Sequence, residues 1–188
     1  LGADANRLSE LLDELVAGEF HPRTGLTHAA AVVAGGRLVA ERYGRRIVRS
    51  LAGMGEDPPL EDVTAETELL SWSMAKSLTH LAVGVAIGDG AFALDDRVPE
   101  PQWADPADRR HDLTWDDLLA MRPGLAWTEE YYSVEAGMPD VFTMLFGEGA
   151  DDMAGYAASR PLVSEPGATE SYVYSSGTTN IVAANLAR

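Results

Sequence analysis

Cysteine is absent from all 188 residues. Disulfides, thiolate metal sites and a cysteine nucleophile are therefore excluded. Histidine is sparse: His21, His28, His80 and His111 are scattered, with no H-x-x-x-H or H-E-x-x-H pair, so no metal site is expected. There is no G-x-S-x-G elbow, which leaves a Ser-His-Asp triad without local support. No apolar run approaches the roughly 18 residues of a membrane span. Positive charge is scarce too. The net charge is −16 and the pI is near 4.4. A chain of that sign is repelled by nucleic acid and by anionic membranes, so neither is expected as a main partner. Lysine is nearly missing: Lys76 stands alone beside thirteen arginines.

What is present suits a globular protein. The chain is 46% hydrophobic and 23% charged, enough for a core in one domain or most of a larger one. It begins at Leu1 without a signal-like segment, which leaves the compartment open, with the cytoplasm slightly favoured. Asn6 to Val16 reads as an amphipathic helix, because Leu8, Leu11, Leu12, Leu15 and Val16 share one face. Thr27–Ala34 and Arg37–Tyr43 read as strands joined by Gly35-Gly36 in a tight hairpin. Gly44 to Glu66 reads as polar and irregular.

Ser73 to Ile87 reads as a helix apolar on most faces, and hence buried, stopped by Gly88-Asp-Gly90. Thr114 and Asp117 fit a capped short helix that ends at Pro123-Gly124. Ala126 to Tyr132 reads as a loop. Further helices are expected over Pro139–Phe146, over Asp151–Ser159 and from Thr178 onward.

Two short patterns carry chemistry. Ser73-Met74-Ala75-Lys76 places an amine one helical turn above a hydroxyl, on the same face. Unlike a guanidinium, an amine can give up its proton, and it can then accept one from a serine nucleophile. Tyr174-Ser175-Ser176 is the second. In an extended segment Tyr174 and Ser176 point the same way. A phenol and an amine facing one serine can share a proton, serving as base for attack and as acid for the leaving group.

These motifs, in this order and roughly 100 residues apart, resemble the serine hydrolases of the class C β-lactamase and penicillin-binding type. Within them the chain looks most like the 6-aminohexanoate-dimer hydrolase and esterase branch. The matching stretches are Ser71–Ser77, Leu94–Val98, Leu113–Leu125, Asp152–Tyr156 and Pro166–Asn180, within a resemblance covering about residues 25–188. It implies an α/β fold of α+β type, with an antiparallel sheet flanked by helices and an all-helical region. It also implies roles. Ser73 would be the acylated nucleophile, Lys76 its proton acceptor and Tyr174 the partner of Lys76. Ser176 would bind substrate or Lys76, and the Ser73 amide would supply one oxyanion donor. Tyr131 or Tyr132 would match a tyrosine that closes over substrate in the amide-hydrolysing branch.

The family's third motif, Lys-Thr-Gly or His-x-Gly, does not follow Tyr174 here. Residues 1–188 are therefore expected to form the N-terminal portion of one β-lactamase-like domain, with an incomplete sheet and a missing C-terminal segment as partner. The expected activity is hydrolysis of a small ester or amide through an acyl-enzyme, without a cofactor. Two alternatives stay open: a β-lactamase or D-Ala-D-Ala peptidase, and a penicillin-recognition or sensor module that acylates without turnover.

Overall fold

A computed structural model describes residues 4–18, 25–47, 59–129 and 137–188. The chain divides into two units, Leu1–Leu70 and Ser71–Arg188. Together they hold helices and small antiparallel sheets, the mixed class that the sequence implies.

The first unit contains helix α1 (Ala5–Ala17) and strands β1 (Ala29–Ala34), β2 (Arg37–Tyr43), β3 (Arg45–Ile47) and β4 (Leu60–Asp62). Asp4 starts α1 by accepting from the amides of Asn6 at 2.9 Å and Arg7 at 3.3 Å. β1 and β2 pair antiparallel, with a bulge between Val32 and Val33. Gly35 and Gly36 have φ of 58° and 73°, the left-handed pair that a two-residue hairpin turn demands. Arg42 ties α1 to β2, reaching Asp13 Oδ1 and Ser9 Oγ at 2.6 Å each.

The region expected to be irregular, Gly44 to Glu66, instead holds β3 and β4, an antiparallel pair. Their signal is a cross-strand ion pair, Arg46 with Glu61, rather than an apolar alternation, and the pattern of hydropathy misses it.

The second unit carries α2 (Ala75–Gly88), α3 (Trp115–Leu119), α4 (Asp140–Phe146), α5 (Met153–Ala158) and α6 (Ser176–Leu186). Its core joins Val83, Val98, Trp103, Leu113, Trp115, Leu118, Leu125, Met144, Ile181 and Val182 around α6. Trp115 stacks on Phe92 with ring centroids 4.2 Å apart. The buried Trp103 indole satisfies its N–H on the Ala158 carbonyl at 3.0 Å. Thr114 and Asp117 form the reciprocal cap of α3. Glu100, also buried, accepts from Asn185 Nδ2 at 2.9 Å and Arg188 Nη1 at 3.0 Å, so its charge is not left unpaired.

Helix α2 corrects one expectation. Among its residues only Val83 is buried, while Leu78, Leu81 and Val85 remain 67%, 65% and 57% exposed. A helix apolar all round buries only the sides where other elements stand. Val83 meets the core, and the stripe through residues 78, 81 and 85 faces away from it.

Candidate active site

Ser73 lies in a short 3₁₀ turn, Trp72–Met74, that leads into α2. Trp72, just before it, has φ of 45°, a left-handed conformation that costs a residue with a Cβ roughly 1–2 kcal/mol. Lys76 follows on the first turn of α2. Its Nζ donates to Ser73 Oγ at 3.1 Å.

The second group arrives from 100 residues along the chain. The backbone running into α6 is zippered to the one after α3: Gly167 N donates to Arg122 O at 2.9 Å, and Val173 N to Met121 O at 3.0 Å. Ser175 is extended and turns inward to cap α6 on the Thr178 amide at 2.9 Å. That cap starts the helix at Ser176, two residues before the expected Thr178. The same extension aims Tyr174 and Ser176 at one target. Lys76 Nζ donates to Ser176 Oγ at 3.1 Å and lies 4.9 Å from the centroid of the Tyr174 ring. The lysine faces the ring of Tyr174, in the cation–π manner, rather than its hydroxyl. Ser73, Lys76, Tyr174 and Ser176 are thus brought together. Tyr131 and Tyr132 lie outside the described residues.

Ser73, Lys76 and Tyr174 line an open cavity of about 490 Å³, together with Ser77, His80 and Met121. Among the described residues, no group of histidine, aspartate and glutamate side chains could hold a metal ion. Nor, among the described residues, is any helix long and apolar enough to cross a membrane.

Sequence reasoning missed two contributors. The His80 ring nitrogens lie 2.9 Å from the Lys76 carbonyl and 3.2 Å from that of Leu119, fastening the first turn of α2 to the end of α3. Glu129 stands behind Ser176, accepting from the Ser176 amide at 2.9 Å and from the Ser176 hydroxyl. The Trp127 indole N–H, at 2.6 Å, holds the same carboxylate. The only hint was Trp127-Thr-Glu129 in a segment read as plain loop.

The pattern that defines the beta-lactamase family matches residues 13–188. The chain belongs to the beta-lactamase family. Its helices and small antiparallel sheets are consistent with the α/β fold of that family. Beta-lactamase family members are generally serine hydrolases. No curated protein matches the chain.

Proposed function

We propose that this beta-lactamase family chain is a serine hydrolase that cleaves small esters or amides through an acyl-enzyme on Ser73. One observation carries the reading. The single lysine stands 3.1 Å from each of two hydroxyl oxygens, those of Ser73 and Ser176, at the edge of a cavity. An amine held within hydrogen-bond reach of a serine hydroxyl, and fixed there by a second hydroxyl, has the arrangement that proton exchange with the first requires.

In the proposed reaction, Ser73 Oγ attacks the substrate carbonyl as its proton passes to Lys76 Nζ. The Ser73 amide donates to the resulting oxyanion. The proton then goes from the lysine to the departing alkoxide or amine, with Tyr174 as its partner in the transfer. Water repeats the sequence on the acyl-enzyme and releases the acid and free Ser73. Ser176 fixes the lysine. The substrate range proposed is that of the 6-aminohexanoate-dimer hydrolase and esterase branch, which the segments around Ser73, Leu113 and Tyr174 resemble.

Initial rates on a p-nitrophenyl ester and on nitrocefin test the reading. Faster turnover of the ester, abolished by Ser73→Ala, is the expected result. Turnover of nitrocefin alone would favour a β-lactamase, and an acyl-enzyme that persists for hours a sensor.

A further inference from the structure

We propose that Glu129 is a positioning residue that sets the direction of the hydrogen bonds around Lys76. The inference rests on the proposed roles of Ser73 and Lys76. A carboxylate only accepts. Three donors converge on Glu129: the Ser176 amide at 2.9 Å, the Trp127 indole at 2.6 Å and the Ser176 hydroxyl. A serine hydroxyl has one hydrogen, and here it is spent on the carboxylate. Ser176 Oγ can then present only lone pairs to Lys76 Nζ, 3.1 Å away, so the lysine must donate to it.

That fixes how the amine is turned. In its neutral form Lys76 has two N–H groups and one lone pair. With one N–H committed to Ser176, rotation about Cε–Nζ is restrained; the charged amine donates to Ser73 Oγ at 3.1 Å, and once it is neutral its lone pair can take up that same direction. When the proton leaves Ser73, the charge that forms on Lys76 faces a hydrogen-bonded chain ending in a carboxylate. The logic is that of an acid that orients and supports a base without itself taking the proton.

Glu129 is held firmly enough to do this. Trp127 sits edge-on to Tyr156, with centroids 6.4 Å apart, and its ring closes over Gly177, where an added Cβ would meet it at 2.6 Å. The carboxylate also lies at the first turn of α6, an eleven-residue helix, where negative charge is favoured. Glu129 therefore has a structural part as well, and a test must separate the two.

Glutamine separates them. It has the shape of glutamate but only one accepting atom, so its NH₂ must face a donor unless the Ser176 hydroxyl turns round. Once turned, that hydrogen points at Lys76 and competes with Ser73 for the lone pair.

The rate of Ser73 labelling by a fluorophosphonate is measured in the intact protein, with Glu129→Gln, Glu129→Asp, Ser176→Ala and the Glu129→Gln/Ser176→Ala pair. Glu129→Gln should slow labelling about 10²-fold. Glu129→Asp, which keeps the carboxylate but not the length, should stay faster than Glu129→Gln. In the Ser176→Ala background, Glu129→Gln should add less than about twofold, since the relay is already cut. If Glu129→Gln fails to fold, as judged by thermal unfolding, Glu129→Asp takes its place in the pair and must show the same loss of effect. Additive losses, or glutamine outperforming aspartate, would show a role in shape alone and overturn the inference. Unlabelled wild-type protein would overturn the proposed function itself.

Discussion

The Ser73 hydroxyl oxygen lies 3.1 Å from Lys76 Nζ, and the two residues are three apart in one turn of chain. No third element is needed to bring them together, so the pair survives as long as α2 begins where it does. Ser176, at the start of α6, adds a second hydroxyl, and Tyr174, just before that helix, adds an aromatic face; together they hold the amine in place.

Replacing Lys76 by arginine keeps the charge and much of the length but removes the one side-chain amine, the group that can release a proton. Lys76→Arg is expected to lower the acylation rate of Ser73 by about 10²–10⁴-fold, the usual worth of a positioned base. Pre-steady-state release of p-nitrophenol measures it. A rate within a few-fold of wild type would remove the lysine from the mechanism.

Tyr174 offers Lys76 its ring, at 4.9 Å, and is one of the residues that line the cavity. Tyr174→Phe keeps the ring and deletes the hydroxyl. A fall in kcat of about 10²-fold with little change in KM is expected if the hydroxyl shares the proton. An unchanged kcat would confine Tyr174 to packing against the lysine.

Gly177→Ala sets two effects against each other. Alanine is the better helix former by about 1 kcal/mol. Its Cβ, however, would stand 2.6 Å from two carbons of the rigid Trp127 ring and 3.0 Å from Ala157 Cβ. Overpacking of that kind costs about 1–3 kcal/mol and should win. A lower Tm is the predicted outcome, and a raised one would show that Trp127 yields freely.

Asp108 gives a pH dependence whose sign can be worked out. Its hydrogen bonds from the Arg110 side chain and amide hold its carboxyl below the usual carboxylate range. The native state thus favours the ionised form. The resulting stability is present above the unfolded carboxylate range near pH 4 and is lost as the pH falls through the lower native value. Asp108→Asn should therefore destabilise the protein at pH 7 and flatten the acid side of its stability curve, measured by denaturant unfolding between pH 2 and 7. An acid limb as steep as wild type would contradict this.

Much of this architecture was legible in the sequence where a local rule acts alone. Gly35-Gly36 specifies a hairpin turn, and Thr114 with Asp117 specifies a capped helix start. Ser73 and Lys76 meet because the spacing is helical, and Tyr174 and Ser176 because one extended residue separates them. The rest depended on partners distant in sequence. β3 and β4 are held by Arg46 and Glu61, two charged residues that no hydropathy pattern distinguishes from a solvated loop. Glu129 is 47 residues from Ser176 and meets it only because residues 121–126 are zippered to residues 161–173. The exposure of Leu78 and Leu81 was equally hidden, since periodicity says which side of a helix is apolar but not what stands beside it.

The most direct test is the intact mass of the protein after treatment with a fluorophosphonate, followed by peptide mapping. A single adduct on Ser73, formed by the wild type and missing from Ser73→Ala and Lys76→Arg, is the predicted result. No adduct, or one carried by another serine while Ser73 stays free, would contradict the account.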